Sequence, residues 1–340
     1  MGLAQVHIVG AGLAGQVCAL MLARTGYQPV LWGRAEAAPA RAIALAQPTV
    51  DALMALGVAV PCGGQIDHIH VSRHGAAGHT RLSARALGHA QFGRVVTNDE
   101  LGDALRVATA GFTQHQAAVE AIEVGRGIEV DGEFHQGPVV LTAPVPTLLK
   151  HCGIQSVRRG LNDRLWVGVV EGELQGHAYE RFTDTGPLAV LPLGPGRASV
   201  VWQCAGEVTP SRLRAVMGRR VALGRVIHQA EVPAAAIWAP SLTRPGVAIV
   251  GNASQLLHPV AGQGFNLIVR QLSLLASFGL DRLPEWAAAA DAARQPWLAT
   301  TLTLAQLFQP RWPGQGVALA GVGALPGVAA GFTQRFMEGR

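Results

Sequence analysis

Glycines 10, 12 and 15 stand in the stretch "VHIVGAGLAGQVCALMLA", after an apolar run and at the start of a helix-forming one. Each position of this G-x-G-x-x-G spacing has its own physical use. Gly10 permits a tight turn, Gly12 removes the Cβ that would hold a phosphate away from the backbone, and Gly15 lets the helix pack close to the strand. With Ala11, Leu13 and Ala14 the stretch sets N–H groups at the positive end of that helix, where a pyrophosphate is stabilised. The chemistry implied is dinucleotide binding; a glycine-rich turn without ligand is the plain alternative.

A second stretch, "GNASQLLHPVAGQGFN" from Gly251 to Asn266, carries more glycine and polarity than a simple turn needs. Gly262 and Gly264 flank Gln263 and permit close backbone approach, with Ala261 before them and Phe265 and Asn266 after. The loop precedes an apolar helical run, so free N–H groups and a positive helix end converge there. An electron-rich ring that becomes anionic on reduction, such as a flavin, would be stabilised at that spot. The alternative is a second turn with a buried polar network. His258 is the loop's one titratable side chain. It is a candidate for a flavin–oxygen pocket, or else a ring that ties the loop before Pro259.

The elements that must position these loops follow from the pattern. "QVHIVG" reads as a buried strand, "QVCALMLARTG" as a helix ended by Gly26, and "YQPVLWG" as a second strand. Val247 to Val250 reads as a strand before the second loop, and Phe265, Ile268, Leu272 and Leu275 share one face of the helix after it. Both loops therefore fall at strand carboxyl ends, the usual ligand position in an open α/β sheet.

Composition sets outer bounds. The chain has 340 residues, 49% apolar and 14% charged, with a net charge of +5, enough for a large core in one or two intermingled domains. Its arginines are scattered, so no nucleic acid partner is expected. Cys18, Cys62, Cys152 and Cys204 form no CxxC pair, which argues against a zinc site or a disulfide framework; Cys18 reads as a core residue. His68, His70, His74 and His79 tempt a metal reading, yet no acid or cysteine completes a set, so no metal is expected. No signal peptide and no clear membrane span is read, and a cytoplasmic protein is expected.

The motifs "VHIVGAGLAG", "RAIAL", "IDHIHVSRHGAAG", "FGRVVTNDEL", "YERFTDTGPLAVLPLG" and "GNASQLLHPVAGQGFNL" run along most of the chain. Together they resemble the FAD-dependent aromatic hydroxylases of the p-hydroxybenzoate hydroxylase fold, and within them the ubiquinone-biosynthesis (2-polyprenylphenol) hydroxylases. The resemblance implies an NAD(P)H-linked monooxygenase acting on a prenylated aromatic ring. It implies that Asn252 faces the pyrophosphate–ribityl region and that Gly262, Gln263 and Gly264 meet the pyrimidine edge of the flavin. Arg41, in "RAIAL", matches an arginine that contacts the cofactor. It further implies peripheral membrane contact at the inner face and a biosynthetic complex. The C-terminal mixture of Phe308, Arg311, Trp312, Phe332 and Arg335 suits a lipid interface. Two other readings stay open: a hydroxylase of small soluble phenols, and a non-catalytic homologue serving as scaffold or lipid-binding partner.

Two acids of the pattern are missing. Gly33 stands where the second strand usually ends in a ribose-binding carboxylate, with Arg34 beside it, set to touch a phosphate or stack on adenine. Pro144 and Val145 stand where relatives carry Asp-Gly. Looser FAD binding is expected. The fold expected is α/β: a Rossmann-like FAD-binding domain (1–63, 93–160 and 244–282), an inserted, mostly antiparallel β-sheet substrate domain (64–92 and 161–243), and a helical C-terminal segment (283–340).

Overall fold

The computed structural model describes residues 4–34, 41–75, 79–204, 206–257 and 263–307. One layer is a six-stranded sheet in the order β18 (Thr243–Arg244), β19 (Val247–Ile249), β12 (Val139–Leu141), β1 (Ala4–Val9), β2 (Tyr27–Trp32) and β8 (Thr113–His115). All neighbours pair parallel except the edge strand β18. Its central strands are short apolar runs because helices or a second sheet cover both faces. On one face lie α1 (Leu13–Arg24), α2 (Gln47–Ala55), α3 (Asn98–Ala108), α6 (Gly264–Phe278) and α7 (Leu283–Leu307), around Val17, Leu101, Ile268 and Trp286. The other face is covered by α4 (Pro146–His151) and a three-stranded meander, β9 (Ala121–Glu123), β10 (Gly127–Val130) and β11 (Glu133–Gln136).

A second layer is an eight-stranded sheet. Its order is β20 (Gln255–Leu256), β17 (Leu223–Trp238), β13 (Val157–Gly172), β16 (Arg197–Gln203), β15 (Gly186–Pro192), β14 (His177–Thr183), β5 (His68–Arg73) and β6 (His79–Ser83). It is antiparallel except where β14 meets β5. Helix α5 (Pro210–Met217) packs on one face, around Trp166, Leu188, Val200 and Trp202. The opposite face meets a small sheet of β3 (Ala42–Ala46), β7 (Gly93–Thr97) and β4 (Gly64–Ile66) through Ile69, Ala178, Val169 and Leu191. The strands expected at "HIHVSR", "RLWVGVVEGEL", "LAVLPL" and "RASVVWQCA" are present. The 16-residue β17 was not expected: its "AEVPAAAIW" half is poor in β-branched residues and holds a proline.

Local signals explain the frame. Thr97 and Glu100 form a reciprocal capping box that starts α3. Helix α1 is buried along most of its length, with Cys18 fully enclosed as expected. Helix α7 extends the chain beyond α6, as the C-terminal reading anticipated, and is described to Leu307. Phe308, Arg311, Trp312, Phe332 and Arg335 lie outside the described residues. Among the described residues no helix is long and apolar enough to cross a membrane, and no group of three or more His, Cys, Asp or Glu side chains could hold a metal.

Candidate functional site

Gly10 ends β1 with φ +116°, its N–H donating to the Trp32 carbonyl at 2.8 Å. A Cβ there would stand 2.6 Å from Thr142 Oγ1 and 2.9 Å from the Ala143 nitrogen. At Gly15 it would stand 1.8 Å from the Gly10 oxygen. Both glycines are thus demanded by the chain itself. Gly12 differs. It is the N-cap of α1 with φ −74° and ψ −171°, extended backbone open to any residue, and a Cβ there would meet none of the described residues within 4 Å. No side chain caps the helix that begins at Leu13 and Ala14. Its first-turn N–H groups therefore look toward the open side of Gly12. Ala11 is buried, and its carbonyl accepts from Gln16 Nε2 at 3.1 Å, which pins the turn.

The neighbouring strand ends lock against this turn. Thr142, at the end of β12, donates from Oγ1 to the carbonyls of Val9 and Gly10, both at 3.1 Å. Its own carbonyl accepts from the Ala253 N–H at 3.3 Å. Gly251, with φ +68°, lies so close that a Cβ would be 2.9 Å from the Thr142 oxygen and 3.1 Å from Ala14 Cβ. The loops after β1 and after β19 therefore abut, with Thr142 between them. Pro144 is exposed at the end of β12, so no carboxylate stands there.

Much of the second loop's polarity serves the scaffold. Gln255 Nε2 donates to Gln271 Oε1 at 2.8 Å, and Ser254 Oγ donates to Gln255 Oε1 at 2.7 Å, all three residues buried. Arg294 of α7, 1% exposed, donates to the Ala239 and Ser254 carbonyls and pairs with Asp291. Asn266 donates from Nδ2 to the Ala44 carbonyl at 3.0 Å and accepts the Ala46 N–H at 2.9 Å, clamping β3 to the start of α6. Phe265 packs half-buried against the main core. These two residues have work in the fold that the sequence reading did not foresee.

Gln263 is the exception. It caps α6, is 4% exposed, and its Nε2 is buried with no hydrogen-bond partner among the described residues. Gly264, the next residue, has no described residue within 4 Å of a Cβ position. Arg34, Arg41 and Asn252 are exposed, Asn252 within a short 3-10 turn beside Gly251. His258, Ala261 and Gly262 lie outside the described residues. An FAD would suit this donor set. The open backbone at Gly12 and the uncapped α1 fit its pyrophosphate, and the unpartnered Gln263 amide beside the N-terminus of α6 fits a polar ring edge. Gly33, with φ +113°, follows the second strand, so no carboxylate stands at that strand end.

A candidate substrate wall lies on the face of the eight-stranded sheet that meets the small sheet. In register across the strands run Val71, Glu180, Ala189, Val201, Val167 and Ala230. This row continues the face of Ile69, Ala178, Leu191 and Val169 without joining their core. The Glu180 side chain is the one ionisable group in it. Burial pushes its carboxyl up to about 8, so it carries a proton near neutrality. The sequence reading quoted "YERF" as a motif and gave Glu180 no role; a lone acid amid valine and alanine on one strand face was the available signal.

Comparison with known proteins follows these contours. No family model matches the chain. Against 3-demethoxyubiquinol 3-hydroxylase of Escherichia coli it is 27% identical over 311 residues, covering 80% of this chain and 78% of the relative. Over most of its length the chain is thus similar to a named ubiquinone-biosynthesis hydroxylase. Ubiquinone hydroxylase UbiL of Rhodospirillum rubrum is 32% identical over 39% of this chain and 37% of its own length. An uncharacterized Synechocystis protein is 34% identical, matched over only 27% of its length. Among solved structures, Klebsiella pneumoniae HpxO complexed with FAD and uric acid superposes with a TM-score of 0.80, covering 99% of this chain and 97% of that one at 15% identity. The p-nitrophenol 4-monooxygenase PnpA of Pseudomonas putida gives 0.77 at 17% identity, covering 99% and 98%. These chains share the fold; the expected α/β architecture is the one observed.

Proposed function

We propose that the protein is an FAD-dependent monooxygenase that hydroxylates a prenylated phenol or quinol ring in ubiquinone biosynthesis, with NAD(P)H as electron donor. The observation that carries the reading is the abutment of the loops after β1 and β19 through Gly251, Thr142 and Ala14, together with the open backbone at Gly12 and Gly264 and the Gln263 amide that lacks a partner among the described residues. The named ubiquinone hydroxylases among its relatives support the substrate class. In this reading Gly12, Leu13 and Ala14 hold the pyrophosphate, and Ala261, Gly262, Gln263 and Gly264 hold the ring. Arg34, Arg41 and Asn252 line the exposed side. When bound, FAD supplies the redox chemistry that activates dioxygen for transfer to the ring.

The chain's own residues bind and orient. The valine and alanine row removes water from a phenolic ring, and the protonated Glu180 carboxyl donates from Oε to the ring oxygen or its neighbour. The first 63 residues with 93–160 and 244–282 form the cofactor part, and 64–92 with 161–243 the substrate part. Membrane contact through the C-terminal segment and docking in a biosynthetic complex belong to the same proposal.

A second reading, a scaffold without catalysis, is favoured by one observation: neither Gly33 nor Pro144 supplies the acids of the resembled pattern. Purified protein, reconstituted with FAD and given NADH or NADPH, should add one oxygen atom to a short-chain polyprenylphenol, read by mass spectrometry. Bound flavin that is reduced without product, or protein that binds no flavin, would replace the enzyme with the scaffold.

A further inference from the structure

The other face of the eight-stranded sheet, under α5, holds a cavity of about 660 Å³ at the β6–β5–β14 edge. Its floor is His68 and His70 of β5 with His177 and Tyr179 of β14. The parallel register pairs His177 with His68 and Tyr179 with His70, so these rings share one face. His68 and His177 stack at 4.6 Å, and the His70 and Tyr179 rings meet edge-on at 5.7 Å. The alternation of the strands turns Glu180 and Ala178 to the opposite face, so this cavity is separate from the proposed flavin and substrate site.

The rim is cationic. Arg81 of β6 and the consecutive Arg219 and Arg220 line it. Gly218, at φ +60°, ends α5 and turns the chain, and the Tyr179 hydroxyl donates to the Arg220 carbonyl at 3.1 Å, holding that turn over the floor. Behind the floor, Arg181 is 5% exposed and bonds only neutral groups, Ser72 Oγ at 2.9 Å and the Val216 carbonyl at 2.6 Å. No carboxylate lines the cavity, and among the described residues none of these four arginines has an ion pair. His70 is 6% exposed and its buried Nδ1 has no partner among the described residues. Burial first, then the surrounding Arg220, Arg81, His79 and Arg181, hold His70 down to about 4. Arg81, Arg219 and Arg220 are exposed and Arg181 is buried, so the edge presents concentrated positive charge to solvent with no carboxylate in its lining, a setting that attracts an anion.

We propose that this cavity is a binding site for an organic phosphate or pyrophosphate, held by Arg81, Arg219 and Arg220 over the His68–His70–His177–Tyr179 floor. A single carboxylate would leave two rim guanidinium groups unmatched, whereas a phosphate or diphosphate offers oxygens and charge for all three. The volume exceeds a bare phosphate and suits a small organic ligand whose flat part lies on the ring floor.

The test uses the full chain with one equivalent of FAD, titrated calorimetrically at low salt with inorganic pyrophosphate and with ADP. Both should bind with submillimolar affinity. The double variant Arg81→Ser/Arg220→Ser should weaken each at least tenfold with an unchanged melting temperature, while Arg282→Ser, on a distant turn, changes nothing. His70→Phe should weaken ADP or pyrophosphate as well, through the floor. In a second arm, phosphatidylglycerol vesicles that capture the parent but not the double variant, and release it on addition of pyrophosphate, would identify a lipid headgroup as the source of the phosphate. Absence of pyrophosphate binding together with vesicle capture that ignores the substitutions would overturn the proposal, as would pyrophosphate binding of equal strength in the double variant.

Discussion

At the end of β1, two glycines of three answer to the chain: a Cβ at Gly10 or Gly15 would strike backbone, while one at Gly12 would strike nothing. At the end of β19 the proportions differ. Ser254, Gln255 and Asn266 are taken up by scaffold hydrogen bonds, and of the polar side chains described there only the Gln263 amide is buried and unpartnered. The first loop is thus a motif whose unexplained member is an absent side chain; the second is a buried polar network whose unexplained member is a present one. Subtracting what the fold requires leaves, in both, a small remainder with no role in the described scaffold. Most of the second loop's described polar residues thus form the buried network that the plain reading of the loop expected.

The largest expected effect lies on the side of the fold. Gly15→Ala places a methyl 1.8 Å from the Gly10 oxygen. Backbone must move, and overpacking of that kind costs about 3 kcal/mol or more, beyond the ~1 kcal/mol that alanine gains in a helix. Urea denaturation should show the loss even without FAD. Gly12→Val should invert the pattern. Stability stays within about 0.5 kcal/mol, as for a substitution with room around it, while FAD affinity falls at least ~100-fold, about 2.7 kcal/mol. Fluorescence titration measures it. If Gly12→Val keeps full flavin affinity, the contrast between the two kinds of glycine fails.

The legible parts of this fold were local. The β1–α1–β2 unit and the start of α6 follow from spacing within a few residues, and the structure has them where the pattern put them. What could not be read is long-range. Thr142 ties to Gly10 across 132 positions and Asn266 to Ala44 across 222, and nothing near either residue announces its partner. The Asn266 position resembled a cofactor ligand because the motif that contains it does; its amide is in fact divided between two backbone groups of β3. The half of β17 around Pro233 escaped because alanine and proline carry no strand signal; its pairing with β13 forms it.

A matched pair of glutamines sharpens the loop comparison. Gln271→Leu leaves Gln255 without its buried partner, and an unsatisfied buried amide costs about 1–3 kcal/mol. That loss should appear in urea melts of the apoprotein. Gln263→Leu removes a donor that has no partner to lose, with only the 3.3 Å contact from Asn266 Nδ2 given up. Its apoprotein should be within about 0.5 kcal/mol of the parent, and its FAD affinity lower by about fivefold to tenfold, one ordinary hydrogen bond. Equal losses in both assays for both variants would erase the distinction between scaffold and remainder.

The smallest net change is expected where the pattern is incomplete. Gly33→Glu restores the carboxylate at the end of β2, and reading the sequence alone it should simply tighten FAD. The backbone complicates this: φ is +113°, a conformation that strains any residue with a Cβ by about 1–2 kcal/mol. Space is not the obstacle, since a Cβ would lie 3.8 Å from the Ala11 nitrogen, ordinary contact. If the free protein relaxes this strain and FAD binding restores it, the ~1.5–3 kcal/mol that a charge-assisted hydrogen bond to the ribose returns is partly offset, and the net gain should stay near ~1 kcal/mol, about fivefold or less. Gly33→Ala carries the strain without the carboxylate and serves as the reference. Titrated with FAD, Gly33→Glu should bind about tenfold more tightly than Gly33→Ala, even where it barely exceeds the parent. A ratio near one would mean that the cofactor's ribose does not lie beside residue 33, and that the first loop holds its pyrophosphate in a different direction along α1.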